Sequence, residues 1–282
     1  MNWNTLVSCD ALRSALGRED LVLVDCRFDL VDPGAGERMY LSGHLPGAVY
    51  AHLERDLSDA GKRGRGRHPL PDAAALCARL GRWGIAPGSQ VVAYDSADGA
   101  YAARLWWLLR MLGHQRVAVL DGGVSAWLAG NHPLEHAVPR PRPQTYSARY
   151  NVRSGVSIAV LAARMANGDG VLVDARAPER FRGEIEPLDR VAGHIPGASN
   201  RHYALNLETG GRFKSPQRLR EEFDALLGGH PPADVVHMCG SGVTACHNLL
   251  AMAHAGLDGA RLYAGSWSEW SADPARPVAR GG

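Results

Sequence analysis

The sequence predicts two tandem α/β domains, each an open, mainly parallel sheet flanked by helices. Three observations point there. The chain repeats itself with a period of about half its length, short β-branched apolar runs alternate with helical patterns, and a proline-rich stretch separates the copies.

The repeat is legible at four landmarks in the same order. Val22-Leu23-Val24-Asp25-Cys26-Arg27 answers Val171-Leu172-Val173-Asp174-Ala175-Arg176, and Gly43–Ala48 (GHLPGA) answers Gly193–Ala198 (GHIPGA). His44 follows Asp25 by 19 positions and His194 follows Asp174 by 20. Val91–Asp95 then matches Val235–Cys239, and a glycine followed by tryptophan closes each copy, Gly123 with Trp127 and Gly265 with Trp270. Pro139-Arg140-Pro141-Arg142-Pro143 lacks most backbone donors and favours an extended path. The expected division is therefore a first domain over 1–138, a linker over 139–153 and a second domain over 154–282.

Within the second copy, Val171–Val173, Val235–Met238 and Arg261–Tyr263 have the apolar character of strands buried on both faces. Ser215-Pro216 opens a helix that Gly228-Gly229 stops after Leu227. A further helix after Gly242 carries Ala245, Leu249, Leu250 and Met252 on one side. Strands separated by helices pair in parallel through right-handed crossovers, giving about five strands per sheet.

Composition excludes several functions. With 45% apolar and 21% charged residues the chain is of ordinary globular character, and a net charge of +2 gives no global field for nucleic acid or an anionic membrane. No apolar run is long enough to span a bilayer. Asp10 and Arg13 stand where a secretory segment would be apolar, so no leader is expected. Five scattered cysteines, none in a CxxC pair, read as free thiols in a reducing compartment, without a metal site. The expected location is cytoplasmic.

In open parallel sheets, ligands bind beyond the carboxyl ends of the strands. There the strand ending at Met238 runs into Cys239-Gly240-Ser241-Gly242-Val243-Thr244 before a helix. Two glycines in four positions permit a tight loop whose N–H groups converge, and the helix N-terminus adds positive potential. A cysteine sulfur at the head of such a loop is favoured as a thiolate nucleophile, whereas a small buried hydrophobe is the plainer alternative. The first copy has Asp95-Ser96-Ala97-Asp98-Gly99-Ala100 at this place, and two carboxylates there cannot support thiolate chemistry. The first domain is therefore expected to be inactive. Cys246 reads as a buried helix cysteine, with a redox partner of Cys239 as the alternative. Trp106, Trp107, Trp267 and Trp270 read as packing.

With these features the chain resembles the tandem-domain rhodanese family of sulfurtransferases over nearly its whole length, and each domain is then expected to be rhodanese-like. GHxPGA is a family turn, read here as a structural corner. Cys239–Thr244 (CGSGVT) closely matches the loop of the mercaptopyruvate-using branch, whereas thiosulfate-preferring members carry Arg and Lys where this chain has Gly240 and Ser241. The resemblance implies Cys239 as nucleophile, with Gly240, Gly242, Val243 and Thr244 framing the substrate. It makes Arg180 a substrate-binding arginine, with Arg190 as the second and Arg182 as its alternative. It also implies a relay of Ser241 with His68 and Asp56, or Asp59 in place of Asp56, reaching across from the first domain. The basic run Lys62–Arg67 reads as a solvated loop near the domain cleft rather than a nucleic-acid patch.

The expected activity is transfer of sulfur from 3-mercaptopyruvate, through a persulfide on Cys239, to thioredoxin, a small thiol or cyanide. No metal or organic cofactor is implied. Thiosulfate as main donor is the alternative, and a non-catalytic sulfur carrier is a rival of another class. A phosphatase on the same fold would need an arginine where Ala245 stands.

Overall fold

The computed structural model describes residues 2–282, and its backbone separates into two compact units. The first takes the chain up to Asp59, Pro71–Asn151 and Glu208–Phe213; the second takes Ala60–Leu70, Val152–Leu207 and Lys214–Gly282. Two short segments, 60–70 and 208–213, thus pack with the unit that is remote from them in sequence.

The first unit runs β1 (Leu6–Val7), α1 (Cys9–Ala15), β2 (Leu21–Asp25), α2 (Ala35–Ser42), β3 (Val49–Tyr50) and α3 (Leu53–Asp56). It continues with α4 (Ala73–Arg82), β4 (Gln90–Tyr94), α5 (Ala102–Met111), β5 (Val117–Leu120) and α6 (Gly123–Ala129). Its five strands are all parallel, in the order β1-β5-β4-β2-β3. Every residue of the central strands β4 and β5 is buried, as continuous apolar runs require of a sheet covered on both faces.

The second unit runs α7 (Ile158–Asn167), β6 (Val171–Asp174), α8 (Pro178–Arg182), β7 (Ser199–Asn200), α9 (Pro216–Leu227), β8 (Val235–Met238), α10 (Thr244–His254), β9 (Arg261–Leu262) and α11 (Ser266–Trp270). Its sheet is parallel with four strands, β7-β6-β8-β9, one fewer than expected. The fifth position is held by a single parallel bridge from Gly155 to Leu262, too short to count as a strand. Helix α9 begins and ends where its sequence dictates. The Ser215 hydroxyl accepts from the Arg218 N–H, Pro216 fills the first turn, and Gly228 closes it in the left-handed region.

The repeated motifs make the same contacts twice. The Asp25 carboxylate accepts from the backbone and guanidinium of Arg27, whose Nη2 donates to the Gly43 carbonyl at 2.7 Å. Asp174 and Arg176 repeat this, with Arg176 Nη2 donating to the Gly193 carbonyl at 2.8 Å. His44 stacks on Tyr40 and His194 on Phe181, each ring lying 2.8 Å through Nδ1 from a carbonyl oxygen, that of Tyr40 or Phe181. All are buried. A buried ion pair fixes geometry more than it adds stability, so GHxPGA is a corner clamped by the Arg two residues past the preceding strand. Cores form around Trp127 in one unit and Trp267 with Trp270 in the other.

Candidate active site

Strand β8 is fully buried and delivers Cys239 to its carboxyl end with 2% of the residue exposed. The following loop is fastened at both sides. The Cys239 N–H donates to Ser266 Oγ at 3.1 Å, while the carbonyls of Cys239 and Gly240 accept from the N–H groups of Trp267 and Ser268. Gly242 has φ +77°, and a Cβ there would lie 2.4 Å from the Ala264 carbonyl oxygen, so only glycine fits. That conformation turns the Gly242 N–H onto Cys239 Sγ at 3.1 Å. Val243 is buried, and Thr244 starts α10 half-exposed.

Ser241 Oγ lies 2.7 Å from Nδ1 of His68, and both side chains are buried. His68 sits on segment 60–70, so serine and histidine belong to one unit. Asp56, the expected third member, belongs to the first unit, where its carboxylate accepts from Arg79 Nε at 2.9 Å and from the His52 N–H at 2.8 Å. The nearest cation and the start of α3 claim this carboxylate. Asp59 closes the same segment of the first unit.

Arg180 extends from α8 to the loop. Its guanidinium pairs with Glu186 at 2.6 Å and reaches Asp189 at 3.4 Å. A Cβ built on Gly240 would stand 3.5 Å from its Nη2. Arg190 is exposed and lines a cleft of about 460 Å³ with Asp189, Ser268 and Ser271. Arg182 pairs with Glu184 at the surface. The arginine that does stand beside Gly240 with Arg180 is Arg67, whose Nη2 would lie 3.3 Å from the same Cβ. Sequence reasoning placed Arg67 in a solvated run. The available signal was Gly66: its φ of +83° lets the loop approach the Gly265 carbonyl so closely that a Cβ would stand 2.5 Å away.

The matching loop of the first unit carries Asp95. Its carboxylate accepts four backbone N–H groups, from Ala97, Gly99, Tyr101 and Ala102, at 2.9–3.3 Å. Its carbonyl accepts from Val124 just as that of Cys239 accepts from Trp267, so the two loops are structural equivalents. Burial, reinforced by Asp98, pushes the Asp95 carboxyl up to about 6.

Residues 8–130 and 157–273 each match the Rhodanese-like domain. The chain is 49% identical to a "Probable 3-mercaptopyruvate sulfurtransferase" of Pseudomonas aeruginosa, over 98% of both chains. It is 34% identical to the thiosulfate sulfurtransferase of Bos taurus, over 84% of this chain and 81% of the relative. Its backbone superposes on the 3-mercaptopyruvate sulfurtransferase from Leishmania major with a TM-score of 0.85 at 29% identity, covering 95% of this chain and 74% of that one.

Proposed function

The chain belongs to the rhodanese-like domain family, and from that premise we propose that it is a sulfurtransferase drawing on 3-mercaptopyruvate. The observation that carries this reading is the loop itself: Cys239 held at a strand end under the Gly242 N–H, with the buried Ser241–His68 pair beside it and Arg180 over Gly240.

Cys239, as thiolate, attacks the sulfur of the donor. An S–S bond forms, the carbon–sulfur bond breaks, and its electron pair leaves on the enolate of pyruvate. Ser241, bonded to His68, supplies the proton that this enolate takes up. An acceptor thiolate, of thioredoxin or a small thiol, then attacks the outer sulfur of the Cys239 persulfide and leaves Cys239 a thiolate again. Cyanide would leave as thiocyanate. Gly242, Val243 and Thr244 shape the loop around the transferred sulfur, and Arg180 binds the donor carboxylate.

The reading assigns sulfur chemistry to the second domain and none to the first, where Asp95 replaces the cysteine. Thiosulfate is a second donor, supported by the bovine relative's name and opposed by the neutral Gly240 and Ser241. We place the protein in the cytoplasm, a reading supported by five buried free cysteines.

The deciding experiment is steady-state kinetics with the two donors side by side and one acceptor thiol. Higher kcat/KM for mercaptopyruvate, with one pyruvate formed per sulfur transferred, is expected. A preference for thiosulfate would make that donor the physiological one, and persulfide uptake without pyruvate formation would make the protein a carrier.

A further inference from the structure

The second unit assembles three arginines and three carboxylates behind the cysteine loop. Arg176 is committed to Asp174 and Glu186, both interactions deeply buried. Arg180 takes the other side of Glu186, and then Asp189 bridges Arg180 to Arg67, its Oδ1 lying 3.0 Å from Arg67 Nη1 and its Oδ2 3.4 Å from Arg180 Nη2. The chain therefore ends in two guanidiniums that share one carboxylate. Both forks overhang Gly240, the residue directly after the nucleophile.

Arg67 is held there rather than solvated. Its N–H donates to Ser268 Oγ at 3.0 Å, and Ser268 in turn donates its own N–H to the Gly240 carbonyl. Its Nε is buried and has no hydrogen-bond partner among the described residues. A buried guanidinium donor left open is costly unless an acceptor visits it.

We propose that Arg67 is a second donor-reading cation, forming with Arg180 a two-guanidinium seat over Gly240 for the carboxylate of the sulfur donor, a seat for which Asp189 competes. The inference rests on the reading of Cys239 as the nucleophile for a carboxylate-bearing donor. Two planar forks facing one point suit a carboxylate better than a single point charge would. Glycine at 240 leaves the gap between loop and guanidiniums open, since a methyl group there would contact both.

The test compares alkylation of Cys239 by iodoacetate and by iodoacetamide, reagents of nearly equal size that differ by one negative charge. The iodoacetate-to-iodoacetamide rate ratio reads the seat without requiring turnover. Arg67→Gln should lower that ratio about tenfold, and raise KM for mercaptopyruvate by a similar factor with kcat within about threefold, the scale of one charge-assisted hydrogen bond. Arg67→Lys should retain part of the ratio. Asp189→Asn should act in the opposite direction, raising the ratio and lowering KM, because it removes the competing negative charge that bridges Arg67 and Arg180. Arg63→Gln, an exposed arginine of the same loop, should change neither. An unchanged ratio in Arg67→Gln, or an equal fall in Arg63→Gln, overturns the proposal. If Arg67→Gln does not fold, an unchanged ratio in Asp189→Asn overturns it instead. A wild type that forms no pyruvate, yet shows the Arg67 effect on the ratio, would sink the choice of donor and leave the anion seat standing.

Discussion

His68 and Ser241 are separated by 173 positions in sequence, yet the imidazole Nδ1 and the hydroxyl Oγ lie 2.7 Å apart in a buried pocket of the second unit. The pairing makes the two donors separable by their need for a proton. Pyruvate enolate must be protonated as it leaves; sulfite need not be. Ser241→Ala should lower kcat for mercaptopyruvate by about 10²-fold, the low end of general acid–base contributions, and leave thiosulfate turnover within a few-fold. Equal losses with both donors would remove the relay from the mechanism.

The nucleophile has its own signature. Cys239→Ser should abolish turnover with either donor while the thermal unfolding curve stays near that of the wild type, because a serine hydroxyl is not ionised at neutral pH. Donor-treated wild type should gain one sulfur atom on the peptide holding Cys239. Cys246 is fully buried and its Sγ lies 3.3 Å from the Gly242 carbonyl oxygen, so added sulfur on the Cys246 peptide would show that the site is assigned to the wrong thiol.

Two glycines in one loop should respond differently to the same methyl group. Gly242→Ala demands a positive φ and a Cβ at 2.4 Å from a backbone oxygen. It should cost about 2 kcal/mol or more in unfolding free energy and all activity. Gly240 has no such φ, and its added Cβ would meet Arg67 and Arg180 at 3.3–3.6 Å. Gly240→Ala should unfold with the wild type but show a severalfold higher KM for mercaptopyruvate. Chemical denaturation beside kinetics on both variants distinguishes the cases, and equal destabilisation would refute the distinction.

His237 provides a pH dependence. It is buried in β8 with Nε2 3.0 Å from Met252 Sδ, and burial, helped by the charge of Arg201, pulls its imidazole down to about 3. The folded state thus binds a proton less readily than the unfolded state. The resulting stability is fully present above the ordinary histidine range near 6.5 and is lost as pH falls toward 3. Between pH 6.5 and 5 the wild type should lose about 2 kcal/mol more than His237→Gln. Parallel curves for the two proteins in urea unfolding would contradict the assignment.

What could be read from the sequence was local. The strands, the Ser215 and Gly228 boundaries of α9, and the repeated Asp-x-Arg and GHxPGA pairs each lie within a short stretch whose residues fix their own geometry. The cysteine loop was legible for the same reason. Arg180 was legible too, but the second arginine beside Gly240 was not, because a cation's position depends on which remote carboxylate claims it. Arg67 meets Asp189 across 122 positions, while Asp56 finds Arg79. The exchange of segments 60–70 and 208–213 also has no sequence signal, since hydropathy states that a loop is polar but not which unit it covers. In the second sheet about five strands were expected, and at the fifth position Gly155 makes a single bridge, a glycine beside Ser154 offering little side chain to bury.

The Asp95 carboxylate, tied down by four N–H groups, has a consequence for stoichiometry. A side chain anchored to its own loop faces those donors at an effective concentration that a free metabolite in the micromolar to millimolar range does not match. The first copy therefore behaves as a receptor supplied with its ligand at synthesis, deaf to the anions that the second copy must sense. With the sulfur chemistry proposed for Cys239, duplication leaves two cradles but a capacity of one sulfur atom per polypeptide, and a titration of bound sulfur against protein should saturate at a ratio of one.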